Sequence, residues 1–151
     1  MAGKDKALGV VRSELDALRL RIIENHLRVG QKASGKTIAS LHVELSENEG
    51  ILWGRQAFEV LESGRKGGKV PKGFYQIIQQ WVKDKGIQVD KPKTFSYFVA
   101  RKIAREGTQL YRNGGRDDIY SKEIEHTTKV IMERIFGIFE KDVEHINLNN
   151  Q

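Results

Sequence analysis

GQKASGKT, residues 30–37, decides between two folds. It satisfies G-x-x-x-x-G-K-[ST] at every fixed position, the pattern of a phosphate-binding loop. Such a loop belongs to an α/β fold. A buried strand delivers the chain to a glycine turn, and a helix starting at the Lys-Ser/Thr points its free N–H groups at the phosphate. The flanks here run in the opposite order. Upstream, Leu8, Val11, Leu15, Leu18, Ile22 and Val29 recur at helical steps among Arg12, Glu14, Asp16, Arg19, Arg21 and Glu24. That spacing predicts an amphipathic helix over 5–29, which Gly30 is placed to end. Downstream, TIASLHVELS (37–46) alternates, with Ala39, Leu41, Val43 and Leu45 on one side and Ile38, Ser40, His42 and Glu44 on the other. Period two predicts a strand. A turn at Glu47-Asn48-Glu49-Gly50 and a second strand in ILWGR (51–55) make an antiparallel hairpin region over 36–63. Lys36 then has no helix N-terminus beside it, and the lookalike reduces to a helix stop, a glycine turn and a strand start.

The remaining segments continue this pattern. Ala57–Glu62 is short and apolar, one helical turn or a strand end. Residues 64–73 hold RKGGKVPKG, a basic, Gly-rich loop expected to be mobile. Phe74, Ile77, Ile78, Trp81 and Val82 mark one helix face that stops at Gly86. Thr94 is a candidate N-cap for a helix carrying Phe95, Phe98, Val99 and Ile103 and closing at Gly107. A long helix is expected from Asp117 or Asp118, its seam formed by Ile124, Thr128, Ile131, Ile135 and Ile138 and widened by Phe136, Phe139 and Val143. The tail INLNNQ (146–151) reads as frayed. Strands early and helices late predict a single α+β domain over 1–151: an N-terminal helix, a small antiparallel sheet, then packed helices over 74–146 ending in a long one.

Composition narrows the function classes. The chain has 151 residues and no cysteine, which excludes disulfides, thiolate metal sites and cysteine nucleophiles. The start lacks the apolar run of a signal peptide, and no stretch approaches the roughly 20 apolar residues of a membrane span. A soluble protein, intracellular at synthesis, is expected. The net charge is +6 and polarised: residues 61–116 carry 13 Lys/Arg against 4 Asp/Glu, whereas 117–151 carry 4 against 8. A basic middle and an acidic end imply an anionic partner, or the acidic end of another copy.

Few residues invite catalysis. Glu123-x-x-His126 and Asp142-x-x-His145 resemble halves of a di-iron motif. They share one helix and lie about 28 Å apart, so they cannot form one cluster and read as solvated faces. There is no G-x-S-x-G. No catalytic residue, metal or cofactor is expected. The basic residues Arg65, Lys66, Lys69, Lys72, Arg112 and Arg116 are the candidates for facing a neighbouring subunit or DNA. Tyr97 and Tyr111 could add stacking to a nucleic-acid surface.

A family resemblance rests on the middle of the chain. LWGRQAFEVLESGRKGGKVPKGFYQIIQQWVKDKGI (52–87) and FSYFVARKIAREGTQLYRNGG (95–115) are similar to the tail-completion, or minor tail, proteins of bacteriophages. Leu61-Glu62-Ser63-Gly64-Arg65 partly matches an aromatic-acid-x-Gly-basic step of that family. A Gly/Pro loop follows, then Trp81 to Gly86 and Ala100 to Thr108, then a long terminal helix. SGKTIAS (34–40) resembles the family's Gly-x-Leu-x-x-Ser-like passage from first helix to first strand. The resemblance spans roughly residues 30–135. QLYRNGGRDDIY (109–120) departs from it, standing where many members have an Arg-Pro-Phe-hydrophobic step. Membership implies a non-catalytic virion protein, a subunit of a sixfold or twelvefold homo-oligomeric ring in the neck. Its neighbours would be other neck, portal or tail proteins and the DNA conduit. The polarised charge suits a head-to-tail ring, with the 64–73 loop ordering only against a neighbour. The other expectation from the residues is a basic nucleic-acid-binding protein.

Overall fold

The computed structural model describes residues 2–148. Helix α1 (Ala2–Arg28) leads into the short α2 (Lys36–Ser40), then strands β1 (His42–Leu45) and β2 (Gly50–Trp53). A 3-10 turn (Gln56–Phe58) and α3 (Val60–Ser63) follow. Then come α4 (Phe74–Asp84), α5 (Pro92–Glu106), α6 (Gln109–Arg112) and α7 (Ser121–Leu148). The expected α+β class is found, with one two-stranded antiparallel sheet. Among the described residues no helix is long and apolar enough to cross a membrane.

Helix α1 ends as its sequence predicts. Gly30, at φ 71°, turns the chain left-handed. Its N–H donates to Leu27 O at 3.0 Å, and the Gln31 N–H donates to His26 O at 3.2 Å, closing two carbonyls that the helix end would leave open. The helix is covered on two sides. Val11 and Leu15 lie against Gly50 of β2. Leu18 and Ile22 form a core with Leu41, joined by Leu52, Phe58 and Tyr120. Along its other side α1 pairs with α7 in antiparallel sense: Gly3 lies against Asp142, Glu14 pairs with Arg134, and Arg21 with Glu123.

Helices α4 and α5 form a second pair. Ile78, Val82 and Ala100 are its buried centre, with Phe74, Ile87, Phe95, Val99 and Ile103 packed around them. The Lys85 ammonium donates to the Gly30 carbonyl, linking the end of α4 to the end of α1.

Several boundaries differ from expectation. The segment after Gly35 is a helix and not a strand: the Ala39 N–H donates to Gly35 O at 3.0 Å, and strand pairing starts only at His42. Residues 37–41 are too few for period two and period 3.6 to separate. The hairpin is therefore confined to 42–53, in the register Val43↔Leu52 and Glu44↔Ile51. Helix α5 begins at Pro92, before Thr94, because a proline ring pre-sets φ for the first helical position. Helix α7 begins at Ser121, later than Asp117 or Asp118, and runs on through Ile146 to Leu148; residues 149–151 of the polar tail lie outside the described residues.

Candidate interaction surfaces

The basic loop is tied to its own chain. The Arg65 N–H donates to Thr108 Oγ1 at 2.9 Å, the Thr108 N–H donates back to Arg65 O at 2.9 Å, and the Gly68 N–H donates to Ala104 O at 2.7 Å. Gly107, at φ 84°, permits this approach: a β-carbon there would lie 2.6 Å from the Arg65 carbonyl oxygen. The Arg65 guanidinium sits 5.1 Å from the centroid of the Phe74 ring and donates to Lys69 O at 3.3 Å. A loop that orders only against a neighbour is thus corrected for residues 65–68, which the start of α6 and the end of α5 already hold.

The six candidate basic residues do not converge. Arg65 and Lys69 line one open groove of about 770 Å³ with Arg55, Glu59, Val70 and Ile77. Lys66 and Lys72 are exposed on the same loop. Arg112 stands apart, 3.6 Å from Glu106. Arg116 is committed to Asp118 through two hydrogen bonds of 2.6 and 2.9 Å. That fork holds the Asp118 carboxyl down at about 2, with Arg28 adding to it, and raises the Arg116 guanidinium in turn.

Glu62 is the residue that sequence reasoning missed. It is buried, yet its Oε1 accepts from the backbone N–H groups of Ile119 (3.0 Å), Tyr120 (2.6 Å) and Ser121 (2.8 Å). Its Oε2 accepts from the Ser121 hydroxyl. A carboxylate set against the donors and positive end of a 28-residue helix is in its most favourable place. Nearby, Tyr120 stacks on Phe58 with centroids 4.9 Å apart, and burial, then the Glu62 charge, raise its phenol. An acid ending a short apolar run beside Gly64 is the available signal; its partners, 57 to 59 residues away, leave no local trace.

Among the described residues, two helix faces have no partner. On α5, Phe98 is 61% exposed, and Arg101, Lys102 and Arg105 surround it. Tyr97 contacts Phe98 edge-on at 5.8 Å and Tyr75 at 6.4 Å. Phe98, expected on the core face of α5, therefore lies outside it. On α7, Met132 (66% exposed), Phe136 (70%), Phe139, Val143 and Ile146 form a stripe open to solvent. The face toward α1 is built instead by Thr127, Val130, Ile131, Ile135 and Ile138. Ile124, placed in the seam by its spacing, is also exposed. Phe136 and Val143 do not widen the seam toward α1; they belong to a second one, and Phe139 borders both, its ring 3.7 Å from where a β-carbon on Gly3 of α1 would stand.

The lookalike loop is preceded by a helix and not a strand, as expected. The expectation that Lys36 has no helix N-terminus beside it is corrected, since α2 starts at Lys36, although it is only five residues long. Glu123 of the suggested metal half-motif bonds to Arg21 and Asn25, and His126 is exposed. Among the described residues no group of three or more His, Asp or Glu is placed to hold a metal ion. Comparison with family models, with curated proteins and with solved structures gave no match.

Proposed function

We propose that this chain is an architectural subunit of a homo-oligomeric ring in the neck or tail-completion region of a bacteriophage, surrounding the DNA conduit, with no catalytic step of its own. The observation that carries this reading is the exposed apolar stripe on α7, five large side chains from Met132 to Ile146. Contiguous exposed apolar surface on a folded chain marks a place where another protein sits. The motif resemblance over residues 30–135 supplies the kind of assembly. Mass photometry and negative-stain microscopy of the purified chain test it. Closed rings of six or twelve copies are the expected result; a monomer at every concentration, up to the highest soluble one, overturns it.

One observation favours the second reading, a nucleic-acid-binding protein. Tyr97 and Phe98 are exposed, with the half-buried Tyr75 edge-on to Tyr97, beside Arg101, Lys102 and Arg105. Tight binding of single-stranded DNA with a steep salt dependence, by a chain that stays monomeric, would select it.

A further inference from the structure

The stripe on α7 has the spacing of a helix-packing seam. Met132, Phe136, Phe139, Val143 and Ile146 are separated by four, three, four and three residues, the step that keeps one line of a helix against a partner helix. Its length is about 21 Å at the helical rise. Five side chains, 49% to 70% exposed, offer on the order of 500 Å² of apolar area. With the stems of flanking residues this nears the roughly 800 Å² per partner of a standard interface.

The charges beside the stripe say what covers it. Glu133, Glu140 and Glu144 fall on one flank by helical periodicity, the flank turned from α1, and all three are exposed. Among the described residues none of them makes an ion pair, whereas Arg134 and Lys129 are taken by Glu14 and Glu125. Two copies of this stripe laid on each other in antiparallel sense would bring acid against acid. A basic, partly aromatic helix face is the complementary surface, and the chain carries one. On α5, Phe98 lies among Arg101, Lys102 and Arg105, next to Tyr97. Arg101 and Lys102 make no ion pair among the described residues; Arg105 is held by Glu106. Helix α5, 15 residues long, extends about 22 Å and matches the stripe in length.

We propose that the α7 stripe of one copy docks on the α5 face of the next, so that the contact is head-to-tail. Phe98 and Tyr97 meet the Met132–Ile146 stripe, and Glu133 and Glu140 meet Arg101 and Lys102. A contact between two different patches leaves a pair of copies with one free patch of each kind, so it propagates until a ring closes. This rests on the self-assembly proposed above and adds which surfaces make it.

Charge exchange tests it on the full chain. The variants E133K/E140K and R101E/K102E change exposed helix positions, so helical signal and melting temperature should stay near those of the parent. Each alone is expected to weaken assembly at least tenfold in mass photometry. An equimolar mixture is expected to restore rings with the two variants alternating, since each new surface then faces its opposite. Rings unchanged in both variants, or no rescue on mixing, overturn the proposed contact while the ring reading stands. A parent chain that never assembles overturns both. Loss of DNA binding in R101E/K102E with assembly intact also overturns the contact and assigns the α5 face to nucleic acid. Should either double variant lose its helical signal, E140K and R101E are judged by the same mixing rule.

Discussion

The α1/α7 pair and the α4/α5 pair solve one packing problem by different means. Helices α4 and α5 are joined by a short connection and meet mainly through an apolar centre at Ile78, Val82 and Ala100. The Tyr75 hydroxyl, donating to Lys93 O at 3.3 Å, is a polar link at their exposed edge, and the buried Ser96 hydroxyl is satisfied within α5 by Pro92 O at 2.7 Å. Helices α1 and α7 come from opposite ends of the chain, and polar groups link them along their length. Arg21 donates to Glu123 Oε2 at 2.8 Å and to the buried Thr127 hydroxyl at 2.6 Å. Asn25 donates to Ile119 O at 3.3 Å. A short loop leaves a local pair few registers, so apolar contact suffices. Two long helices brought together from a distance can slide by a turn, and directional bonds remove that freedom.

The comparison can be broken or sharpened by substitution, beginning with the largest effect. Ile22 is 2% exposed where α1 meets the hairpin core. Ile22→Ala should cost about 4 kcal/mol in urea unfolding and loosen the whole molecule; a cost under about 1 kcal/mol would remove α1 from the centre of the fold. Glu62→Ala should cost about 3 kcal/mol, since four donors lose a charged acceptor. Circular dichroism should show weakened helix, and hydrogen exchange should place the loss in the first turns of α7. Val82→Ala should cost about 2 kcal/mol and act locally. Faster exchange is expected in α4 and α5 with α1 nearly unchanged; equal acceleration in both pairs would show that they unfold as one unit.

A double-mutant cycle of Arg21→Met and Glu123→Gln should give a coupling of about 1 kcal/mol, as the two side chains are only part-buried. No coupling would leave register to the apolar contacts alone. Smallest is the pH effect at Asp118. Its carboxyl is held at about 2, so the stabilisation is complete above the ordinary value near 4 and is lost as pH falls through 2. The group is about a third exposed, which limits the effect to below about 1 kcal/mol and makes it salt-sensitive. Comparing acid unfolding of the parent and Asp118→Asn between pH 4 and 2 checks it; parallel curves would show no contribution.

Sequence reading succeeded where local pattern and local packing coincide. Gly30 and Gly86 end their helices because each frees the chain to return its next N–H groups to the last turn. Ile78 and Val82 lie in the core their spacing implies. It failed where partners are remote. Five residues after Gly35 could not distinguish helix from strand, and the Glu62 cap depends on donors far along the chain. On α7 two apolar stripes run side by side. Periodicity finds both, but only the placement of α1 determines which one is left open. The candidate site shows the same division. The basic character of 61–116 was legible, but Arg116 turned out to be locked to Asp118, and the open cations with an aromatic neighbour are Arg101 and Lys102.

The Glu62 contact also has a consequence in time. The carboxylate that starts α7 is fixed by α3, so the last long helix cannot be capped until the middle of the chain has settled. Contacts within α4/α5 span few residues and close quickly, whereas α1 must wait for α7. Folding is therefore expected to proceed from the middle outward, with the terminal helices joining last. Pulse-labelled exchange during refolding should protect α4 and α5 before the first turn of α7. Until that clasp forms, α1 has only the hairpin to cover it, and this is the interval in which the chain is most exposed to wrong partners.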